Sequence, residues 1–152
     1  MKFCSIDCLP YFCGKPQSME QIIETIKRIE KARTALRQAI VDNELATSPR
    51  LKDLALIPKI YEIFKGIKGG DITVNDRKEF IFVAIYLYSP NKFFGGKMPK
   101  GLRNAIAKTT GVYSVTSISN NCTELLILYT TYDDFRHSVD SLLNEVMERL
   151  GK

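Results

Sequence analysis

The sequence predicts an all-α protein with several helices, of which the first is long. Apolar residues recur at steps of three and four along most of the chain, which is the period of an amphipathic helix. A strand-like alternation occurs only weakly, around residues 1–12. Glycines and a Ser-Pro pair, which end helices, separate the periodic segments. Each segment is therefore expected to be a separate helix.

The amino-acid composition limits the class of protein. The 152 residues suffice for one compact domain, or for a small domain with an appendage, and 45% hydrophobic with 26% charged residues is typical of soluble globular proteins. The apolar run at residues 80–88 is far shorter than the roughly 20 residues of a membrane span. The N-terminus lacks a continuous apolar region and a small-residue cleavage site. We therefore expect no secretory signal, no membrane partner and a cytoplasmic location.

Three regions are expected along the chain. They are a cysteine-containing arm at residues 1–17, a helical region with a long amphipathic helix at residues 18–70, and a second helical domain at residues 71–152. Ser18 and Gln21 resemble a capping box, which begins the long helix at about Met19, and the periodic pattern continues to about Glu44.

The long helix carries an apolar stripe at alternating steps of four and three, interrupted by Arg33. The stripe spans about three heptads, which is enough for a pair of helices. It is formed by Ile22, Ile26, Ile29, Leu36 and Ile40. Two interpretations follow: the helix packs on the core of its own chain, or residues 19–44 bind a second copy or a helical protein partner.

Two further helices follow the long one. Pro58 must begin a helix or kink one, because it lacks a backbone donor, and Gly69–Gly70 ends that unit. Asn75 or Asp76 is expected to cap a strongly apolar helix, Arg77–Tyr88, which a Ser-Pro pair stops.

The last helix is expected to begin at Asp133 or Asp134, whose carboxylates favour a helix N-terminus. Gly151 lies at its end. Its apolar stripe consists of Phe135, Val139, Leu142, Leu143, Val146 and Leu150.

Residues 101–129 are expected to form two helices joined by a tight turn at Gly111. Glycine adopts positive φ at little cost, and Ala107, four residues earlier, lets two helix backbones approach closely. The second helix, at about 114–129, is rich in short hydrogen-bonding side chains, which suit base edges and phosphate oxygens. They are Ser114, Thr116, Ser117, Ser119, Asn120, Asn121 and Thr123.

The positive charge is concentrated before this turn. Residues 50–110 carry twelve Lys or Arg against five Asp or Glu, whereas residues 111–152 carry three against six. The cations nearest the turn are Lys92, Lys97, Lys100, Arg103 and Lys108. A basic surface beside a polar helix is the electrostatic pattern of a protein that binds duplex DNA, although a solvated basic surface is a common alternative.

The helix pair resembles the helix-turn-helix superfamily of DNA-binding proteins over about 30 residues. In many members the buried aliphatic residue of the second helix lies six residues after the turn glycine. Here Ser117 holds that position and Ile118 follows it, so the turn is one residue longer. The resemblance implies that the protein is an all-α, multi-helix domain with a C-terminal helix-turn-helix and a long N-terminal helix. It also implies that residues 71–152 form a helix-turn-helix-like domain.

The order of an apolar helix, a basic loop, two short helices and a closing helix also resembles the DNA-binding domain of the bacterial replication initiator, without that protein's signature residues. This resemblance implies that Val112 and Ile118 lie in the core. Runs such as residues 101–111 and 132–142 are similar to small proteins encoded by phages and mobile elements of gut bacteria. A location in a host cytoplasm or a virion follows from that second resemblance.

The expected function is DNA binding, as a transcriptional regulator or an architectural or phage protein that reads duplex DNA with the helix at about 114–129. The alternative is a non-enzymatic structural or assembly protein that interacts through its helices. The expected DNA-binding residues are Lys97, Lys100, Arg103, Lys108, Ser114, Thr116, Ser117, Asn120 and Asn121.

No metal, cofactor or catalytic site is expected. Cys4, Cys8 and Cys13 lie at spacings of four and five residues, which are not those of a zinc knuckle. His137 has Asp133, Asp134 and Asp140 within one helical turn, but no recognisable motif places a nucleophile beside it. We therefore expect these carboxylates to form a solvated helix face and the protein not to be an enzyme.

Overall fold

The computed structural model describes residues 18–111 and 114–151, and it is all-α. The described residues contain no strand and form seven α-helices. These are α1 (Met19–Thr47), α2 (Ile57–Lys68), α3 (Val74–Tyr88), α4 (Leu102–Thr110), α5 (Val115–Asn120), α6 (Cys122–Thr131) and α7 (Asp133–Leu150). Two 3-10 segments, Leu54–Leu56 and Pro90–Phe94, precede α2 and follow α3. In the described part of the chain, no helix combines the length and the apolar character that crossing a bilayer requires.

The chain divides into two compact units between Asn43 and Glu44. Residues 44–70, which the sequence analysis grouped with the long helix, therefore belong to the second unit, where α2 packs against α3, α4 and α7. The expected arm at residues 1–17, the weak strand pattern and Val112 lie outside the described residues.

The first unit contains most of α1. The capping box at its start is confirmed: the Ser18 backbone N–H donates to Gln21 Oε1 (3.1 Å), and the Gln21 N–H donates to Ser18 Oγ (3.3 Å). The helix continues to Thr47, three residues beyond the expected end, and none of its side chains is buried. The apolar stripe is therefore exposed, with exposed fractions from 40% for Ile22 to 63% for Leu36.

In the second unit, α3 is the helix around which the others pack. It contacts α2, α4, α6 and α7, and eight of its fifteen residues are buried. The buried residues occur on most sides of the helix, as the apolar sequence predicts, and they are Glu79, Phe80, Phe82, Val83, Ala84, Ile85, Leu87 and Tyr88.

The helix ends agree with most of the sequence signals. Pro58 lies in the first turn of α2, where its missing donor costs nothing, and Gly69 ends that helix at φ 67°. Ser89 ends α3. The expected cap of α3 at Asn75 or Asp76 is wrong, because the cap is Thr73. Its hydroxyl and the Asp76 carboxylate bond each other's backbone N–H, which makes Asp76 the third residue of the helix.

The segment before α2 is tied to the end of α3. The backbone N–H groups of Arg50 and Leu51 both donate to the Leu87 carbonyl, at 2.8 and 2.9 Å. The Tyr88 hydroxyl donates to the Asp53 carbonyl (2.7 Å), and burial, followed by the charge of Asp53, raises the pKa of Tyr88 to about 12. The first two bonds supply donors to the Leu87 carbonyl, which lies in the last turn of α3.

An aromatic cluster joins α3 to the segments that follow it. The Phe82 ring centroid lies 4.8 Å from that of Phe93, 4.8 Å from that of Tyr129, on which it stacks, and 6.2 Å from that of Phe135. The 3-10 segment, α6 and α7 are therefore all held against one ring. Tyr132, by contrast, is 57% exposed and takes no part in this packing.

A half-buried ionic network links α2, α3 and α7. Lys68 Nζ lies 2.5 Å from Glu79 Oε2 and 3.1 Å from Asp76 Oδ1, and Ser138 Oγ donates to Glu79 (2.8 Å). Burial alone would raise the pKa of Asp76, but hydrogen bonds from Thr73 and Lys68 outweigh it and hold that pKa below its ordinary value. Burial would likewise lower the pKa of Lys68, but its bonds to Glu79 and Asp76 raise it.

The depressed pKa of Asp76 gives a pH-dependent stability. The ionised form is favoured in the folded state, so its contribution is fully present above the ordinary carboxyl pKa near 3.8 and is lost as the pH falls through the lower folded value. We expect Asp76→Asn to lower the free energy of unfolding by about 1.5–3 kcal/mol at pH 7, because it removes charge-assisted hydrogen bonds. Urea unfolding at pH 7 and at pH 2–3 should show the difference between the two proteins shrinking at acid pH. Asp71→Asn, at an exposed carboxylate, is the control. An equal loss at both pH values would contradict this interpretation.

Candidate nucleic-acid interface

Helices α4 and α5 pack against each other and form the pair that the sequence predicts. Gly111 ends α4 at φ 71°, a conformation that favours glycine. Ile106 of α4 and Ile118 of α5 are buried in the core, with exposed fractions of 0% and 1%. Ile118 is thus the buried aliphatic residue of α5, whereas Ser117 is only half-buried.

The single helix expected at about 114–129 is wrong, because two helices, α5 and α6, replace it. Asn121 lies between them at φ −81° and ψ −1°. The chain here reads Ser-Asn-Asn-Cys-Thr, and such short polar side chains compete with helical backbone bonds. The Cys122 thiol, at the start of α6, donates to the Ile118 carbonyl (3.3 Å). The polar helix is therefore only six residues long, or about 9 Å at 1.5 Å per residue.

The polar side chains in and beside α5 differ in what they contact. Ser114 caps the helix: its hydroxyl accepts from the Ser117 N–H (3.4 Å), and the Ser117 hydroxyl donates to the Ser114 carbonyl (2.6 Å). Thr116 and Asn120 are exposed and lie four residues apart, so they share one face of the helix.

Ser117 and Asn121, also four residues apart, lie toward α3. They line a hollow of about 140 Å³ together with Arg77 and Lys78. Lys78 pairs with Glu124 (2.7 Å) across this hollow. The sequence does not single out Arg77 and Lys78, because no local signal shows that the packing of the chain brings them beside Ser117 and Asn121.

Two of the expected cations, Lys97 and Lys100, lie on the loop between α3 and α4. Asn91 holds this loop in two ways. Its side-chain amide donates to the Lys97 carbonyl (3.3 Å), and its backbone carbonyl accepts from the Gly96 N–H (2.9 Å). A Cβ at Gly96 would lie 2.7 Å from the Asn91 side chain, so the close approach requires glycine. The loop before α4 is thus hydrogen-bonded within itself.

The other two expected cations, Arg103 and Lys108, lie on α4. All four of these basic side chains are exposed, and within residues 18–111 and 114–151 none of them has an ion-pair partner. Lys65, Lys68 and Lys78, in contrast, are neutralised by nearby carboxylates. The cations of the loop and of α4 are therefore among the exposed cations, with others such as Lys52 and Lys59, that remain available to a polyanion.

The expected site residues do not share one hollow. Lys108 lines an open groove of about 390 Å³ between α2 and α4, beside Tyr61 and Lys65. Ser117 and Asn121 line the separate hollow against α3. Lys97, Lys100, Arg103, Ser114, Thr116 and Asn120 line neither of these two hollows, and all six side chains are exposed.

An apolar cavity of about 330 Å³ lies beside the aromatic cluster, lined by Phe82, Phe93 and Tyr129 among others. Its two charged residues are already engaged. The Arg50 guanidinium lies 4.1 Å from the centre of the Tyr86 ring, and Asp140 accepts from the Tyr129 hydroxyl (2.8 Å). Hydrogen bonding to Asp140, together with burial, raises the pKa of Tyr129.

Of the three carboxylates near His137, those of Asp133 and Asp134 are exposed, as expected of a solvated helix face, whereas that of Asp140 is half-buried. His137 is exposed, Asp133 pairs with Arg136 on the same helix, and Asp140 is bonded to Tyr129. Cys122 is buried, and burial raises the pKa of its thiol. In the part of the chain that the structure describes, no three His, Cys, Asp or Glu side chains are grouped as a metal site would need. Cys4, Cys8 and Cys13 lie outside that part.

Comparison with protein-family models, with curated proteins and with solved structures gives no match to this chain.

The hydroxyls of Ser114 and Thr116 are both exposed, but only that of Ser114 caps α5. We expect Ser114→Ala to lower the free energy of unfolding by about 1 kcal/mol, since the Ser117 N–H loses its acceptor. Thr116→Ala, on the exposed face, should change it by less than about 0.5 kcal/mol. Thermal and urea unfolding of both variants would measure this, and equal effects would argue against Ser114 as the cap.

Proposed function

We propose that the protein binds duplex DNA through α4, α5 and the loop before them. The observation that carries this proposal is a group of three exposed basic side chains without carboxylate partners in the described residues, Lys97, Lys100 and Arg103. They lie on α4 and on the loop before it, and α4 packs against the capped helix α5, which has an exposed polar face. Cations that are not neutralised within the protein are free to replace the counterions of a phosphate backbone.

In this proposal the two kinds of residue have different roles. Lys97, Lys100 and Arg103 contact phosphates, which fixes position but carries no sequence information. Thr116 and Asn120 reach base edges, because an amide can bond adenine with two hydrogen bonds and a threonine methyl can contact thymine. Since α5 has only six residues, the number of bases read by one copy is small.

Mutations in the two kinds of residue should have different effects on DNA binding. We expect Lys100→Ala to weaken binding to all duplexes alike and to reduce the slope of log affinity against log salt by about 0.9. We expect Asn120→Ala to reduce the preference for a selected duplex over a random one by about tenfold, or about 1.4 kcal/mol, which lies within the roughly 1–3 kcal/mol of one specific base contact. Fluorescence anisotropy with a duplex selected from a randomised pool, at several salt concentrations, would measure both.

Matched controls exist elsewhere on the chain. Lys59, an exposed lysine of α2, and Asn144, an exposed asparagine of α7, are outside the proposed surface. Lys59→Ala and Asn144→Ala should leave the salt slope and the preference unchanged. Absence of any complex at low salt, with every duplex tried, would refute the proposal.

A second candidate function is that of a non-enzymatic assembly protein that interacts through α1. The specific observation in its favour is the apolar stripe of α1, of which no side chain is buried. Large apolar side chains repeated along one helix face are usually covered by a partner. This function does not require DNA and does not exclude it.

A charge in the stripe tests this second candidate. We expect Ile29→Asp to convert an oligomer to a monomer, since the new carboxylate would be buried without a partner. Lys31→Asp, on the same helix but outside the stripe, is the control. Sedimentation velocity over a hundredfold range of concentration would distinguish the two, and a wild-type protein that remains monomeric throughout would count against self-association.

A further inference from the structure

We propose that α1 pairs with α1 of a second copy of this chain, and that the two helices run antiparallel. The proposal rests on the second candidate function and adds the identity and the direction of the partner helix. Three features of α1 carry it: an exposed apolar stripe, one arginine within that stripe, and the placement of charged residues and alanines at its two edges.

The stripe follows the heptad pattern of a two-stranded coiled coil. With Ile26 at position a and Ile29 at position d, Arg33, Leu36 and Ile40 occupy the following a, d and a positions. The exposed fractions of Ile29, Leu36 and Ile40 are 46%, 63% and 51%. These side chains are exposed along a continuous line, and a second helix with the same spacing would cover them.

Arg33 decides against a parallel pair. In a parallel, in-register pair each a residue meets its own copy, so the two Arg33 guanidinium groups would lie side by side in the apolar seam. Like charges so placed repel each other, and burying them is costly. In a parallel pair the edge positions also give no compensation, because Ala32 and Ala39 at position g carry no charge.

An antiparallel pair removes that conflict. Positions a then face positions d, so Arg33 lies across from Leu36 of the second copy, along which its aliphatic stem can pack while its charge reaches solvent. The same alignment places Ile29 across from Ile40. The seam keeps its apolar contacts and no arginine meets another.

The edges of the helix fit the same alignment. In an antiparallel pair position e faces e and position g faces g, which places Glu30 opposite Arg37 of the second copy, and Arg37 opposite Glu30. Neither side chain has an ion-pair partner in the described part of this chain. Along the other edge Ala32 faces Ala39, and such small residues let the helices approach closely. Charge complementarity therefore selects a second copy over an unrelated helix.

The paired charges allow a test in which two weakened variants restore each other. Glu30→Arg alone would place arginine opposite Arg37 twice in the dimer, and Arg37→Glu alone would place glutamate opposite Glu30 twice. We expect each variant to dimerise about tenfold more weakly than the wild type. An equimolar mixture should form a heterodimer of near wild-type affinity, because both contacts become attractive again. Native mass spectrometry and sedimentation velocity of the full-length proteins would measure this, with Lys31→Glu as the charge-reversal control on the outer face.

The outcomes separate the two claims. Preferential heterodimer formation supports the antiparallel pair, since a parallel pair does not bring positions 30 and 37 together. A dimer that Ile29→Asp dissociates, but that neither charge reversal weakens, overturns the antiparallel arrangement and leaves self-association standing. A wild-type protein that is strictly monomeric overturns both, and would leave the face of α1 to a helix of another protein.

Discussion

The burial of α3 is the constraint on which the second unit depends. Its sequence is apolar on most sides, so it is satisfied only if several helices cover it, and α2, α4, α6 and α7 do so. Its polar residues are confined largely to the first two turns, where Asp76 and Glu79 bind Lys68 and where Arg77 and Lys78 lie beside α5. The same packing that buries the aromatic residues thus places two basic residues beside Ser117 and Asn121.

Much of the fold can be predicted from the sequence because helix starts and stops are local. Ser18, Pro58, Gly69 and Gly111 act within one turn of the chain, and the structure uses each as expected. The sequence also contains the signal for the true cap of α3, since Thr73 is followed three residues later by Asp76. Asn75 and Asp76 are themselves good capping residues, however, and only the reciprocal hydrogen bonds decide among the three.

The candidate site could be predicted only in part, and the reason is physical. The exposure of the cations can be predicted from the sequence, because an unpaired lysine is almost never fully buried. The direction in which Ser117 and Asn121 point depends on where α3 lies, which helical spacing in α5 cannot reveal. The break at Asn121 is an intermediate case: the polar run that causes it is visible, but apolar residues beyond it continue the helical pattern and conceal it.

The proposed DNA-binding surface at α5 and the proposed pairing of α1 would be physically connected. One copy of α5 offers two exposed side chains to base edges, Thr116 and Asn120, which is a small contact for specific recognition. Joining two copies through α1 would make the second DNA contact intramolecular, with an effective concentration set by the link rather than by the solution. Weak contacts in each copy would then suffice, and the affinity of the pair would depend on the protein concentration at which α1 associates. In that arrangement Arg33, which weakens the apolar seam, also limits the strength of pairing, so that dimer formation responds to how much protein is present.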